Sequence, residues 1–278
     1  MNVYHSIDQI PYNAQTVLTV GTFDGVHLGH KSVIERLIEI SSTTGNRHVV
    51  ITFDPHPQIV LSKPDKPPVT LLSTIQERIA LLKKYGVEHL LVIPFNKEFA
   101  AMEHDQFVSD VLVKSIGVAK ILIGYDHNFG KNREGNINNL MELSKIHGFD
   151  VEELKPLTHN SDNISSTKIR HALRNGDLEK ANTMLGYPYF IKGKVILGDG
   201  RGNQLGIPTA NIRSADDNKL LPQNGVYLVA SNIDGVLVFG MANVGVRPTF
   251  TQDDVSSLEV HYLQFYKDLY NREMTVAF

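Results

Sequence analysis

One stretch, Val17–Lys31 (VLTVGTFDGVHLGHK), limits what this chain can become more than any other. Val17 to Val20 are apolar or β-branched and read as a buried strand. Gly21 and Gly25, with Asp24 between them, make a turn. His27-Leu28-Gly29-His30 then leads into SVIERLIEI, whose Val33, Ile34, Leu37 and Ile38 fall at helical spacing. A strand that feeds a glycine-rich turn and then a helix aims backbone N–H groups and the positive helix end at one point. That geometry suits a phosphate, and the two histidines sit where a phosphoryl group would lie.

Spacing excludes two other phosphate loops. A P-loop runs Gly-Lys-Ser/Thr without interruption, whereas His30 separates Gly29 from Lys31-Ser32. A dinucleotide-binding turn needs two further glycines at fixed offsets, and this turn lacks them. Three readings of His27 and His30 stay open: surface histidines at a helix start, a metal pair that lacks further ligands, and groups that handle phosphate. The spacing favours the third.

Up to about residue 186 the chain alternates strand-like and helix-like segments. Strands are expected at Thr16–Val20, His48–Phe53, His89–Pro94, Lys120–Gly124 and Asp150–Leu154. Helices are expected at Leu28–Ser41, Thr74–Tyr85, Asp105–Ser115, Ile137–His147 and Thr167–Arg174. Such alternation predicts a doubly wound parallel α/β sheet, with ligands beyond the C-terminal strand ends. Asp54-Pro55-His56-Pro57, Phe95-Asn96 and Gly124-Tyr125-Asp126 fall at those ends. The prolines of the first read equally as a rigid turn or a binding segment. The loop Gly124–Gly135 carries Lys131 and Arg133, which are either solvated or phosphate contacts.

Asn163-Ile164-Ser165-Ser166-Thr167-Lys168-Ile169-Arg170 is more specific. An N-cap accounts for one hydroxyl, not for three in a row with Arg170 one turn on. A helix N-terminus with an arginine makes a pyrophosphate clamp. A short helix at Gly176–Gly186 follows, and the domain boundary is expected near Leu185. Residues 187–278 then change character. Strands at Phe190–Leu197, Gly225–Ser231, Val236–Asn243, Leu258–Tyr266 and Met274–Phe278 predict a small antiparallel β-barrel. Gly198–Asn211 (GDGRGNQLGIPTAN) reads either as a mobile glycine loop or as a ligand flap.

Thr22–His30 (TFDGVHLGH) resembles the signature of the nucleotidylyltransferase superfamily, and in particular the bacterial bifunctional riboflavin kinase/FAD synthetases. The segment SSTKIR matches the second superfamily motif, and the glycine flap with PTAN matches the riboflavin kinase motif. The resemblance implies an N-terminal domain, 1–186, that transfers AMP from ATP to FMN and releases pyrophosphate. It implies a C-terminal barrel, 187–278, that phosphorylates riboflavin. His27, His30 and Arg170 would then serve adenylyl transfer, and Glu259 would be the base toward the riboflavin hydroxyl. Gly21, Phe23, Asp24, Gly29, Asp126, Ser165, Ser166, Thr167, Gly198, Gly200 and Gly206 would line ATP and its phosphates. Phe53, Pro55, His56, Pro57 and Asn128 would hold the flavin. Thr209 and Asn211 would offer oxygen ligands to Mg²⁺. The plain reading of Glu259 is an outward residue on an alternating strand.

Departures from the family pattern are His127 in place of an aromatic residue, Asn203 where a basic residue stands nearby, Gln264 in place of aspartate and Asn271 in place of glycine. The family continues into a helical tail beyond the position of Phe278. Two rival activities stand beside the bifunctional one: an FMN adenylyltransferase with an inactive barrel, and a flavin-responsive binding or regulatory protein.

Composition narrows the partners. A net charge of −3 carries no polybasic patch for nucleic acid or membrane, and the absence of cysteine excludes disulfides and thiolate chemistry. No apolar run reaches the ~18 residues of a membrane span. Met1–Gln15 lacks the apolar core of a signal peptide. The expectation is a cytoplasmic enzyme of small-molecule substrates, its oligomeric state left open.

Overall fold

The computed structural model describes residues 1–62, 69–124, 130, 135–155, 157–159, 162–198, 208–247 and 255–278. The chain divides into two compact units: Met1–Val69 with Ile75–Ile164, and Thr70–Thr74 with Ser165–Phe278.

In chain order the first unit contains β1 (Asn2–Tyr4), β2 (Thr16–Val20), α1 (Leu28–Thr44), β3 (Arg47–Asp54), α2 (Pro57–Val60), α3 (Ile75–Lys84) and β4 (His89–Pro94). There follow α4 (Lys97–Ala100), α5 (His104–Gln106), a π-helical stretch Phe107–Ile116, β5 (Val118–Gly124), α6 (Ile137–His147) and β6 (Asp150–Leu154). A short ladder of β7 (Thr158–His159) and β8 (Asp162–Asn163) closes it. The sheet order is β1-β4-β3-β2-β5-β6, every neighbouring pair parallel. The chain runs outward from β2 to β3 and β4, then returns to the other side of β2 for β5. The topological switch point therefore lies between β2 and β5, and the turn after β2 sits at the strand end where such sheets bind ligands.

Every residue of β2 is buried, as a strand covered on both faces requires. Leu18, Val20, Ile51, Ile93 and Ile121 share one core with Val108, Val111, Leu112 and Ile116 of the π-helical stretch and Leu140 of α6. Ile34 and Leu37 of α1 are also fully buried. The five strands expected from periodicity are β2 to β6. The edge strand β1 was not expected: its three residues have no pattern of their own, and pairing with β4 makes them a strand. The helix expected at Asp105–Ser115 is α5 followed by the π-helical stretch, because apolar spacing does not separate the two windings.

His48 on β3 is buried with both ring nitrogens occupied. Its Nε2 accepts the Glu88 N–H at 3.0 Å, and its Nδ1 lies 3.1 Å from Ser41 Oγ, which itself donates to Asn46 O. That arrangement suits the neutral ring, and burial lowers the pKa of His48 from its ordinary value. The unfolded chain therefore takes up a proton that the folded chain resists. Stability is expected to be retained above about pH 6.5 and to fall as pH drops toward the folded pKa. Thermal midpoints between about pH 7 and pH 5 check this: His48→Gln should lower the midpoint yet flatten its dependence on pH.

The second unit begins with α7 (Ser166–Arg174) and α8 (Leu178–Leu185), which bury Ile169, Ala172, Leu173, Ala181, Met184 and Leu185. A closed barrel follows: β9 (Phe190–Ile196), β10 (Ala210–Ser214), β11 (Gly225–Ile233), β12 (Val236–Arg247), β13 (Val255–Tyr262) and β14 (Glu273–Ala277). Its order is β10-β13-β12-β11-β14-β9, with β9 pairing back to β10 and all pairs antiparallel. Asp234-Gly235 turns β11 into β12 with both φ positive, the backbone a tight hairpin needs.

The barrel corrects the sequence reading in three places. β10 is a sixth strand: it starts in the last two residues of the glycine-rich stretch Gly198–Asn211 and runs on through residues given no element. Ala210 and Ile212 point into the barrel, and five residues give too short an alternation to be legible alone. β12 runs on to Arg247. β13 stops at Tyr262, and Gln264 turns the chain with φ 53°. Val226, Leu228, Phe239 and Met241 are exposed on β11 and β12.

Candidate active site

The turn after β2 uses backbone that L-residues seldom adopt: φ is 47° at Phe23, 76° at Gly25 and 34° at Val26. Each non-glycine residue there costs roughly 1–3 kcal/mol. Burial of Phe23, Asp24 and Val26 and the Val26 N–H donated to Phe23 O at 3.0 Å hold it. At Gly21 a Cβ would lie 3.1 Å from the Phe23 ring.

The turn delivers His27 to the N-cap of α1, where its Nδ1 accepts the His30 N–H at 3.3 Å. A ring nitrogen that accepts carries no proton, so neutral His27 is the Nε2–H tautomer. The His30 ring stacks on His27 at 3.7 Å between centroids, and Phe23 packs on it at 5.1 Å. His30 keeps part of its surface open to solvent while its Nδ1 is buried and meets no hydrogen-bond partner among the described residues. Burial first, then His27 and Arg78, hold the His30 pKa well below its ordinary value. His30 is therefore neutral at pH 7 without a ligand, and an anion beside it would supply what it lacks.

At the end of β3 the Asp54–Pro55 peptide is cis, and His56 Nδ1 accepts the Gln58 N–H at 3.2 Å to cap α2, with Pro57 as first helical residue. Phe53 packs against Phe95 and Phe99, at 5.6 Å and 6.0 Å between centroids, forming an aromatic wall at the ends of β3 and β4. Behind it lies a residue that sequence reasoning missed. Arg78 of α3 is 1% exposed, and its Nη1 donates to Thr52 Oγ1 at 3.1 Å and to Phe53 O at 3.0 Å. Thr52 Oγ1 in turn donates to Thr22 O at 3.0 Å. An arginine in an amphipathic helix reads as surface, so nothing local marked it. Asp126 and Asn128 fall outside the described residues.

In the second unit Ser165 caps α7, accepting the Lys168 N–H at 3.4 Å, with Ser166 and Thr167 in the first turn. Arg170 Nε donates to Thr70 O at 2.7 Å.

On the barrel, register places Glu259 of β13 between Asn211 of β10 and Asn243 of β12. Their neighbours Ala210, Ile212, Leu258 and Val260 are buried inward, so the three polar residues share the outer face. The resemblance covers the segment that Asn243 opens but gives that residue no role of its own. Thr209 immediately precedes β10, and His261 Nδ1 lies 2.9 Å from Pro208 O. Gly198 lies so close to Asn211 that a Cβ there would overlap its amide. Gly200 and Gly206 lie outside the described residues.

The FAD synthetase family model matches residues 9–168, and the riboflavin kinase family model matches residues 185–278. The chain belongs to both families. It is 40% identical, over 94% of its length and 82% of the relative's, to the bifunctional riboflavin kinase/FMN adenylyltransferase of Listeria monocytogenes. It is 37% identical to the protein of the same description from Bacillus subtilis, over 95% of this chain and 83% of that one. A crystal structure from Streptococcus pneumoniae described as a macrolide-efflux protein superposes with a TM-score of 0.87 at 29% identity, covering 99% of this chain and 88% of that one. Among the described residues no helix is long and apolar enough to cross a membrane. The parallel-sheet unit accords with the FAD synthetase family, and the closed barrel with the riboflavin kinase family.

Proposed function

We propose that this protein makes FAD by transferring AMP from ATP to FMN, and that its barrel phosphorylates riboflavin to FMN. We assign the first activity to residues 1–186 and the second to residues 187–278. The observation that carries the reading is the preset pair His27 and His30 at the N-terminus of α1, beside the switch point. Bifunctional relatives and both family matches support it.

In adenylyl transfer a phosphate oxygen of FMN attacks the α-phosphorus of ATP, and pyrophosphate leaves. No protein nucleophile is needed, only alignment and stabilisation of the charge that develops. His27 donates from Nε2, and His30 hydrogen-bonds the transferring phosphate. N–H groups of the first turn of α1 add the helix-end field. Arg170 holds the leaving pyrophosphate, with Ser165, Ser166 and Thr167 as further phosphate contacts. Phe53, Pro55, His56 and Pro57 bound the flavin. In the barrel Glu259 takes the proton from the riboflavin 5′-hydroxyl as its oxygen attacks the γ-phosphorus of ATP, whose bond to the β-phosphate oxygen breaks so that ADP leaves.

Mg²⁺ fits the outer barrel face. Asn211 and Thr209 bring hard oxygen donors, and the bare Cα of Gly198 leaves the Asn211 amide in a cradle that a side chain would fill. Two protein oxygens suffice for an ion that also binds phosphate oxygens and water. Bound there with ATP, Mg²⁺ would offset phosphate charge.

The test is product analysis after incubation with ATP, Mg²⁺ and either FMN or riboflavin. FAD from FMN, and FMN followed by FAD from riboflavin, are the expected products. FAD from FMN alone would leave the barrel inactive, and no product with either flavin would overturn the reading.

Gly29→Ala probes the histidine pair without removing it. Its Cβ would lie 3.1 Å from His27 Cε1 and 3.2 Å from His27 Nδ1, so the ring must give way. Because ~1 Å of misplacement costs ~10²-fold, a shift of a few tenths of an ångström is expected to lower kcat for FAD formation by roughly 10-fold. Steady-state kinetics with FMN check it.

A further inference from the structure

The reach of Arg78 is wider than a structural contact requires. It is among the largest fully buried side chains of the described residues, and a buried guanidinium is costly unless its site is built to hold it. From α3 it reaches the end of β3, where its Nη1 meets Thr52 Oγ1 and Phe53 O. Thr52 passes the connection to Thr22 O, the first residue of the strained turn that sets His27 and His30. Phe53 is the flavin-wall residue at the end of the same strand. One side chain thus pins the strand end that carries the aromatic wall and, through one hydroxyl, the turn that carries the histidines.

We propose that Arg78 is a positioning residue for adenylyl transfer, fixing the end of β3 and, through Thr52, the histidine turn, so that the flavin wall and the phosphate-binding histidines keep a set spacing. This rests on the adenylyltransferase reading above. The field of Arg78 supports it: the charged or titratable groups acting on His30 are His27 from its own turn and Arg78 from α3, with the apolar Phe23 packed on the ring. The cation is thus near enough to help keep His30 neutral before a phosphate arrives.

Three variants test the proposal, each first checked for native circular dichroism. Arg78→Met removes both the cation and the links. Arg78→Lys restores the cation on an ammonium that lacks the fixed, planar donor geometry by which Nη1 meets Thr52 Oγ1 and Phe53 O. Thr52→Val cuts the connection to Thr22 and leaves Arg78 in place. Arg78→Met is expected to lower kcat for FAD formation by at least about 10-fold, with KM for FMN changed less than about threefold, the pattern of an interaction that matters in the transition state. The His30 ring signal, followed by NMR, should titrate at higher pH in this variant. Arg78→Lys should restore the His30 titration but not kcat. Thr52→Val should lower kcat severalfold with the His30 titration unmoved.

A folded Arg78→Met with wild-type kcat overturns the proposal, as does one with reduced stability and an unmoved His30 titration. If Arg78→Met does not fold, Thr52→Val decides: kcat within about twofold of wild type overturns the link. Wild-type protein that makes no FAD from FMN and ATP would instead overturn the adenylyltransferase reading, and the proposal with it. In that case a His30 titration that still moves in Arg78→Met marks the contact as real but serving another ligand.

Discussion

His30→Ala is expected to lower the rate of FAD formation from FMN and ATP by about 10²-fold or more, the usual cost of losing one donor aimed at developing charge. The structure sets the conditions for so large an effect. The ring is held on one side by His27 at 3.7 Å and on another by Phe23 at 5.1 Å, which fixes its place beside the α1 N-terminus. Its buried Nδ1 has no described partner to reorganise when it goes. The N-cap is also preserved, because the bond that caps α1 runs from the His30 backbone N–H, which alanine retains, to His27. Folding should therefore change little. Single-turnover measurement of FAD formation, with circular dichroism as control, checks the prediction; a folded variant with near-wild-type turnover would remove His30 from the mechanism.

Gly198→Ala should be as severe for the other activity. An added Cβ would overlap the Asn211 side chain, which is itself only 8% exposed and paired in register with Glu259. Asn211 must then leave its position, and it is the proposed oxygen ligand beside the proposed base. FMN formation from riboflavin is expected to fall by at least about 10²-fold, in line with displacing a reacting group by ~1 Å. FAD formation from supplied FMN should stay at the wild-type rate, since none of the residues assigned to that step changes. Assaying both reactions on one preparation separates this from general misfolding. Equal loss of both would mean the substitution acts through stability, and loss of neither would place the metal ligand elsewhere.

Much of the candidate site was legible because its pieces are short-range. The turn Thr22–His30 carries its strand, glycines and cap within one continuous stretch, and the structure brings its parts together as expected. One of the three hydroxyls before the apolar helix was expected to cap it, and the structure makes that residue Ser165, one position before a helix starting at Thr167 would place the cap. The pairing of Asn211 with Glu259 was only half legible. Each residue was named from the resemblance, but outward-facing alternation alone gave Glu259 no reason to sit beside anything in particular. Arg78 was not legible, and Thr52 and Asn243 were legible only as members of segments that fit the resemblance, since an arginine in an amphipathic helix and a threonine in a strand look the same whether they face water or a neighbour.

Sequence alone was enough for the parallel α/β unit, five of the six strands of its sheet, the histidine turn at the end of β2 and the change to antiparallel strands after Gly186. These follow from hydrophobic period, glycine position and capping, all of which act over a few residues. Tertiary structure alone decided that Asn2–Tyr4 and Ala210–Ser214 are strands, because a strand of three or five residues exists only through the hydrogen bonds its partner supplies. It also decided that Arg78 is buried and tied to Thr52. Whether a guanidinium faces solvent or a strand end depends on what packs over the helix, and that is set by elements distant in the chain.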